Sequence, residues 1–92
     1  MYSRKRESVL EQQVRQEVMS KGGKFIKLVG VRGIPDRMIL LPKARVAFLE
    51  LKREGQSPTK IQHHWLSVLT ALGFKAGWAD NLDDAKSFIG EM

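Results

Sequence analysis

The chain has 92 residues, sixteen Lys or Arg against ten Asp or Glu, a net charge of +6 and no cysteine. That length suits one small domain over residues 1–92 rather than two. The missing cysteines exclude a disulfide scaffold and a Cys-based zinc site, and no apolar run approaches the roughly 20 residues of a membrane span.

Residues Ser3 to Lys21 read as a helix. Leu10, Val14 and Val18 recur on one stripe, Glu17 and Lys21 can pair outside it, and Gly22-Gly23 ends it. Lys24 to Val29 reads as a strand, rich in β-branched and aromatic residues. Gly30 to Pro35 is a turn-rich loop, and Asp36 opens a nearly all-apolar second strand, Arg37 to Leu41. Pro42-Lys43-Ala44-Arg45 reads as a hairpin turn. Val46 to Lys52 is a third strand. Alternation puts Ala47, Leu49 and Leu51 on one face and Val46, Phe48, Glu50 and Lys52 on the other.

After a polar loop, Ser57 as N-cap and Pro58 as first helical residue start a helix that runs to about Leu72. Its apolar face is read as Ile61, Trp65, Val68, Leu69 and Leu72, and Gly73 stops it. Phe74 to Ala79 is a fourth strand. Asn81 caps a last short helix, with Asp83 and Asp84 in its first turn, where the helix dipole favours acids. Trp65 and Trp78 read as core, and of His63 and His64 one is expected exposed and one half-buried. The order α-β-β-β-α-β-α predicts an α/β fold, a central mixed β-sheet flanked by helices. The third and fourth strands, joined through a helix, are expected to be parallel.

The chemistry concentrates in Ile34-Pro35-Asp36 and Leu49-Glu50-Leu51-Lys52. Glu50 and Lys52 are two apart on a strand and share a face, and a hairpin brings Asp36 beside them. Two carboxylates with a lysine make a hard-cation site suited to magnesium, which keeps several waters and shares phosphate oxygens. Lys52 would stabilise developing negative charge or orient the attacking water. A Glu-x-Lys triplet alone is also what any solvated strand face can carry. Here Phe48 shares that face, and Asp36 sits at the mouth of an apolar strand, where an unpaired carboxylate is costly. The basic balance points to nucleic acid as the polyanion bound. Arg4, Lys5, Arg6, Arg32, Arg37, Lys60 and His63 are the candidates for contacting it, each equally readable as a solvated side chain.

The strings Gly30-x-x-Gly33-Ile34-Pro35-Asp36-Arg37, Phe48 to Lys52, Ser57 to Gln62 and Leu69-x-x-Leu72-Gly73-Phe74 resemble the virus-type replication-repair nuclease (VRR-NUC) domain of the PD-(D/E)xK superfamily. The resemblance runs from Glu11 to about Ala79 and implies a restriction-endonuclease-like core. It implies that Asp36 and Glu50 bind Mg²⁺, with Mn²⁺ as substitute, that Lys52 is the catalytic lysine, and that Gln62 positions this end of the site. Glu11 and Leu51 are expected to complete the metal contacts. Ser8-Val9-Leu10-Glu11 also reads as a capping box; the apolar stripe favours a helix starting before Ser8, and with it the metal role for Glu11. The resemblance further implies cleavage of branched or four-way-junction DNA in replication, repair or phage DNA processing. A homodimer is expected, inside a bacterium or phage-infected cell. The rival readings are a non-catalytic DNA-binding protein of the same fold and an RNA-directed nuclease.

Overall fold

Alternation along the third strand decides the layering. The computed structural model describes residues 7–92, so Arg4, Lys5 and Arg6 lie outside the described residues. The elements are α1 (Val9–Ser20), β1 (Lys24–Lys27), β2 (Arg37–Leu41), β3 (Arg45–Leu51), α2 (Lys60–Ala71), β4 (Lys75–Ala79) and α3 (Leu82–Gly90). They form one sheet of order β1-β2-β3-β4. Its first two pairings are antiparallel, and β3 pairs with β4 in parallel. Ala47 and Leu49 point to the face covered by α1 and α3. There they join Val14, Val18, Phe25, Ile39, Leu41, Ala79, Ala85 and Ile89 in one buried cluster. The opposite face, bearing Phe48 and Glu50, meets α2, whose Leu66 and Leu69 are buried.

The first helix starts later than its stripe suggested. Ser8 is the N-cap, and a capping box with Glu11 is formed from both sides. The stripe loses nothing by this, because its first member is Leu10; Val14 and Val18 are fully buried. The first strand is shorter than expected and stops at Lys27; one further bond in the same register, from the Leu28 amide to the Asp36 carbonyl at 2.8 Å, follows it before the Gly30–Pro35 loop begins. The β2–β3 turn carries left-handed φ values at both central residues, 67° at Lys43 and 58° at Ala44. That is the conformation a tight hairpin requires, and one that neither residue favours.

The second helix is capped by Thr59 rather than Ser57, again through a capping box, here with Gln62. Its buried face is the expected one only in part. Leu69 turns inward as expected, joined by Leu66, while Trp65 and Val68 are half-buried and Ile61 and Leu72 are exposed. Ile61 packs beside the loop before Asp36 instead. Trp78 lies on the edge strand and is 38% exposed, and Trp65 is half-buried, so neither is core. His63 and His64 are both exposed.

Candidate active site

Antiparallel register sets Arg37 opposite Leu49, which brings Asp36 alongside Glu50 on the face that meets α2. The Asp36 backbone amide donates to Glu50 Oε1 at 3.2 Å. Glu50 is only 2% exposed although it is ionisable. Its Oε2 accepts from Gln62 Nε2 at 3.4 Å and lies 3.8 Å from Lys52 Nζ. Burial first, and then the neighbouring Asp36 carboxyl, push Glu50 up to about 7 against the pull of Lys52. Asp36 itself is exposed. Sequence reasoning thus placed Asp36, Glu50, Lys52 and Gln62 together, and the fold brings all four to one point.

Gln62 serves two partners at once. Its Oε1 accepts from the Thr59 amide at 2.9 Å, fixing the helix start, while its Nε2 reaches Glu50. Lys52 is anchored through its own backbone amide, which donates to the Ala79 carbonyl at 2.9 Å. It lies just beyond the carboxyl end of β3, beside the parallel strand β4, the usual position for ligand sites in sheets with parallel strands.

Glu11 is not gathered with the two acids. Its carboxylate accepts from the Ser8 amide and pairs with the Arg37 guanidinium. Burial works against ionisation there, but the bonds from Ser8 and Arg37 outweigh it and hold the Glu11 carboxyl below its ordinary value. Among the described residues no group of three or more His, Cys, Asp or Glu is placed to hold a metal ion. Glu11 does line a cleft of about 730 Å³ together with Leu51, Lys52, Arg53 and Asp80, so it borders the site through Lys52. The side chain of Leu51 packs against the buried cluster, which leaves only its backbone carbonyl as a possible ligand.

Arg37 corrects the expected nucleic-acid surface. It shares strand parity with Ile39 and Leu41, is 2% exposed, and pairs with Glu7 and Glu11 with its guanidinium over the Phe25 ring. Arg15 completes this network, with Nη2 2.8 Å from Glu7 Oε2. A phosphate cannot reach Arg37 without dismantling it. Arg32, Lys60 and His63 are exposed.

The donor set fits a hard divalent cation. It offers two carboxylates, one of them buried, raised in pKa and crowded by the other, with a lysine adjacent. Such a pair is stabilised by a metal that brings positive charge and keeps most of its water.

No family model matches the chain. It is 38% identical over 80 residues to a protein named "Putative nuclease p44" of Acyrthosiphon pisum secondary endosymbiont phage 1, covering 85% of this chain and 86% of that one. Its fold matches a solved structure described as a VRR_NUC domain, with a TM-score of 0.81 at 21% identity over 88% of this chain and 90% of the other.

Proposed function

We propose that this chain, which belongs to the family of the phage nuclease p44 and has the fold of a VRR_NUC domain, is a metal-dependent VRR-NUC nuclease hydrolysing DNA phosphodiesters at Asp36, Glu50 and Lys52. The observation that carries this reading is the buried Glu50 carboxylate, held between the Asp36 amide, Gln62 and Lys52. A carboxylate kept that dry is costly in a protein with no use for its charge. The reaction adds water across one P–O ester bond. Asp36 and Glu50, with the Leu51 carbonyl, would hold Mg²⁺ or Mn²⁺, which supplies Lewis acidity toward the phosphate oxygens. Lys52 places a fixed positive charge where the phosphate gains negative charge. Gln62 holds the Glu50 side chain in one orientation. Glu11, turned toward Arg37, would act on this site only through water.

Branched or four-way-junction DNA is the proposed substrate. Arg32, Lys60 and His63, all exposed, would contact its backbone, and a two-fold homodimer would present two sites to opposing strands. The phage origin of the relative supports action inside a bacterium or phage-infected cell. The test is a panel of four-way-junction, duplex and single-stranded DNA and of RNA, incubated with Mg²⁺, with Mn²⁺ or with chelator. Metal-dependent paired nicks on the junction are expected. Cleavage of RNA alone, or of nothing, would refute the reading, and so would light scattering that shows a monomer making paired cuts.

A further inference from the structure

The loop that carries Asp36 is fixed at its base by the Leu28 amide donating to the Asp36 carbonyl at 2.8 Å. Its middle is fixed elsewhere. Trp65 Nε1 donates to the Arg32 carbonyl at 3.0 Å, tying the loop to α2. One residue on, Gly33 adopts φ +84°, and a Cβ added there would lie 2.7 Å from Ile61 Cγ1 and 3.1 Å from the Ile61 carbonyl. Backbone and helix therefore touch with no room for a side chain. Ile61 and Trp65 are one turn apart and share a face of the helix, and Gln62, between them, reaches Glu50. The first turns of α2, set by the Thr59 capping box, thus contact both Glu50 and the loop that leads to Asp36.

We propose that Trp65 and Gly33 are positioning residues that clamp the Asp36 loop onto α2, so that Asp36 and Glu50 are set for metal against one rigid helix. This rests on the nuclease reading above. Neither residue touches metal or substrate; each acts through the placement of Asp36. The fixed side is the stronger half of the device. Gln62 and Glu50 sit on a capped helix and a central strand, whereas Asp36 ends a loop whose base is held by the Leu28 and Glu50 bonds and whose middle is tied to α2.

The test uses Trp65→Phe, which keeps a ring in place and removes the N–H. Mn²⁺ binding is measured by calorimetry on the protein without DNA, and cleavage is measured across a Mn²⁺ titration. Losing one neutral hydrogen bond should weaken Mn²⁺ binding about five-fold. Half-maximal cleavage should move to correspondingly higher Mn²⁺, with the rate at saturation largely restored. The metal-free melting temperature should fall by only a few degrees, which separates positioning from general loss of structure. Gly33→Ala should weaken binding further, and where that variant does not fold, Trp65→Phe decides. Equal Mn²⁺ affinity in Trp65→Phe and wild type would overturn the clamp and leave the nuclease reading standing. Wild-type protein that neither binds Mn²⁺ nor cuts with it would overturn both.

Discussion

Replacing Glu50 by Gln should make the metal-free protein more stable while it destroys the activity. Glu50 ionises at about 7 in the folded chain against an ordinary value of 4.5. Below 4.5 both folded and unfolded chains hold the proton, and Glu50 costs nothing. Between 4.5 and 7 the unfolded chain ionises first, so stability falls as pH rises, and above 7 the full penalty is present. At about 1.4 kcal/mol per pH unit this window amounts to roughly 3 kcal/mol. Gln removes the charge but has only one acceptor oxygen for the two donors, the Asp36 amide and Gln62 Nε2. That mismatch costs about 1 kcal/mol. Glu50→Gln should therefore gain roughly 2 kcal/mol at pH 8, a rise of about 10 °C in melting temperature for a chain this size, and at pH 4 should be level or slightly worse. Urea and thermal melts of both proteins in chelator at the two pH values measure this. If Glu50→Gln is no more stable than wild type at pH 8, Glu50 is not held as a strained buried acid, and the case for a metal-binding role at this position loses its physical basis.

Lys52→Ala should lower the cleavage rate by about 10²-fold or more, with DNA affinity in a binding titration little changed, because one of many positive charges is lost. Arg37→Ala should destabilise the fold by about 3 kcal/mol in denaturant melts, since it leaves Glu11 without its partner and empties a buried site over Phe25. Replacing Lys43-Ala44 by Asn-Gly should stabilise the fold by about 1–2 kcal/mol, because both positions hold left-handed φ that Asn and Gly tolerate. A melt unchanged by that replacement would contradict the strained-turn account.

Much of the site could be read from residue spacing. A period of two along β3 put Glu50 and Lys52 on one face and Ala47 and Leu49 on the other, and the hairpin put Asp36 beside that strand; the register that sets it opposite Glu50 is seen in the fold. The same rule would have placed Arg37 in the core, since it alternates with Ile39 and Leu41; its charge, read alone, pointed to solvent. The α2 face was ambiguous for a physical reason. The expected stripe of Ile61, Trp65, Val68, Leu69 and Leu72 shares Leu69 with a second stripe of Gln62, Leu66 and Leu69. Ile61 meets the Gly33 loop, a contact across 28 residues of sequence that periodicity does not contain. Ser8 to Glu11 fit a capping box by spacing, and the box is formed; the pairing of Glu11 with Arg37 lies across 26 residues and is not contained in that spacing. Trp65 read as core from its place on the apolar stripe, whereas it is half-buried with its N–H bonded to the Arg32 carbonyl.

The central claim is that Asp36 and Glu50 form a metal site that cuts DNA with the help of Lys52. The most direct test is cleavage of a labelled four-way junction by wild type, Asp36→Asn, Glu50→Gln and Lys52→Ala, each with Mg²⁺ and with excess chelator. Wild type with Mg²⁺ should cut, wild type in chelator should not, and all three variants should bind the junction without cutting it. Undiminished cutting by metal-stripped wild type, or by Glu50→Gln with Mg²⁺, would contradict the account.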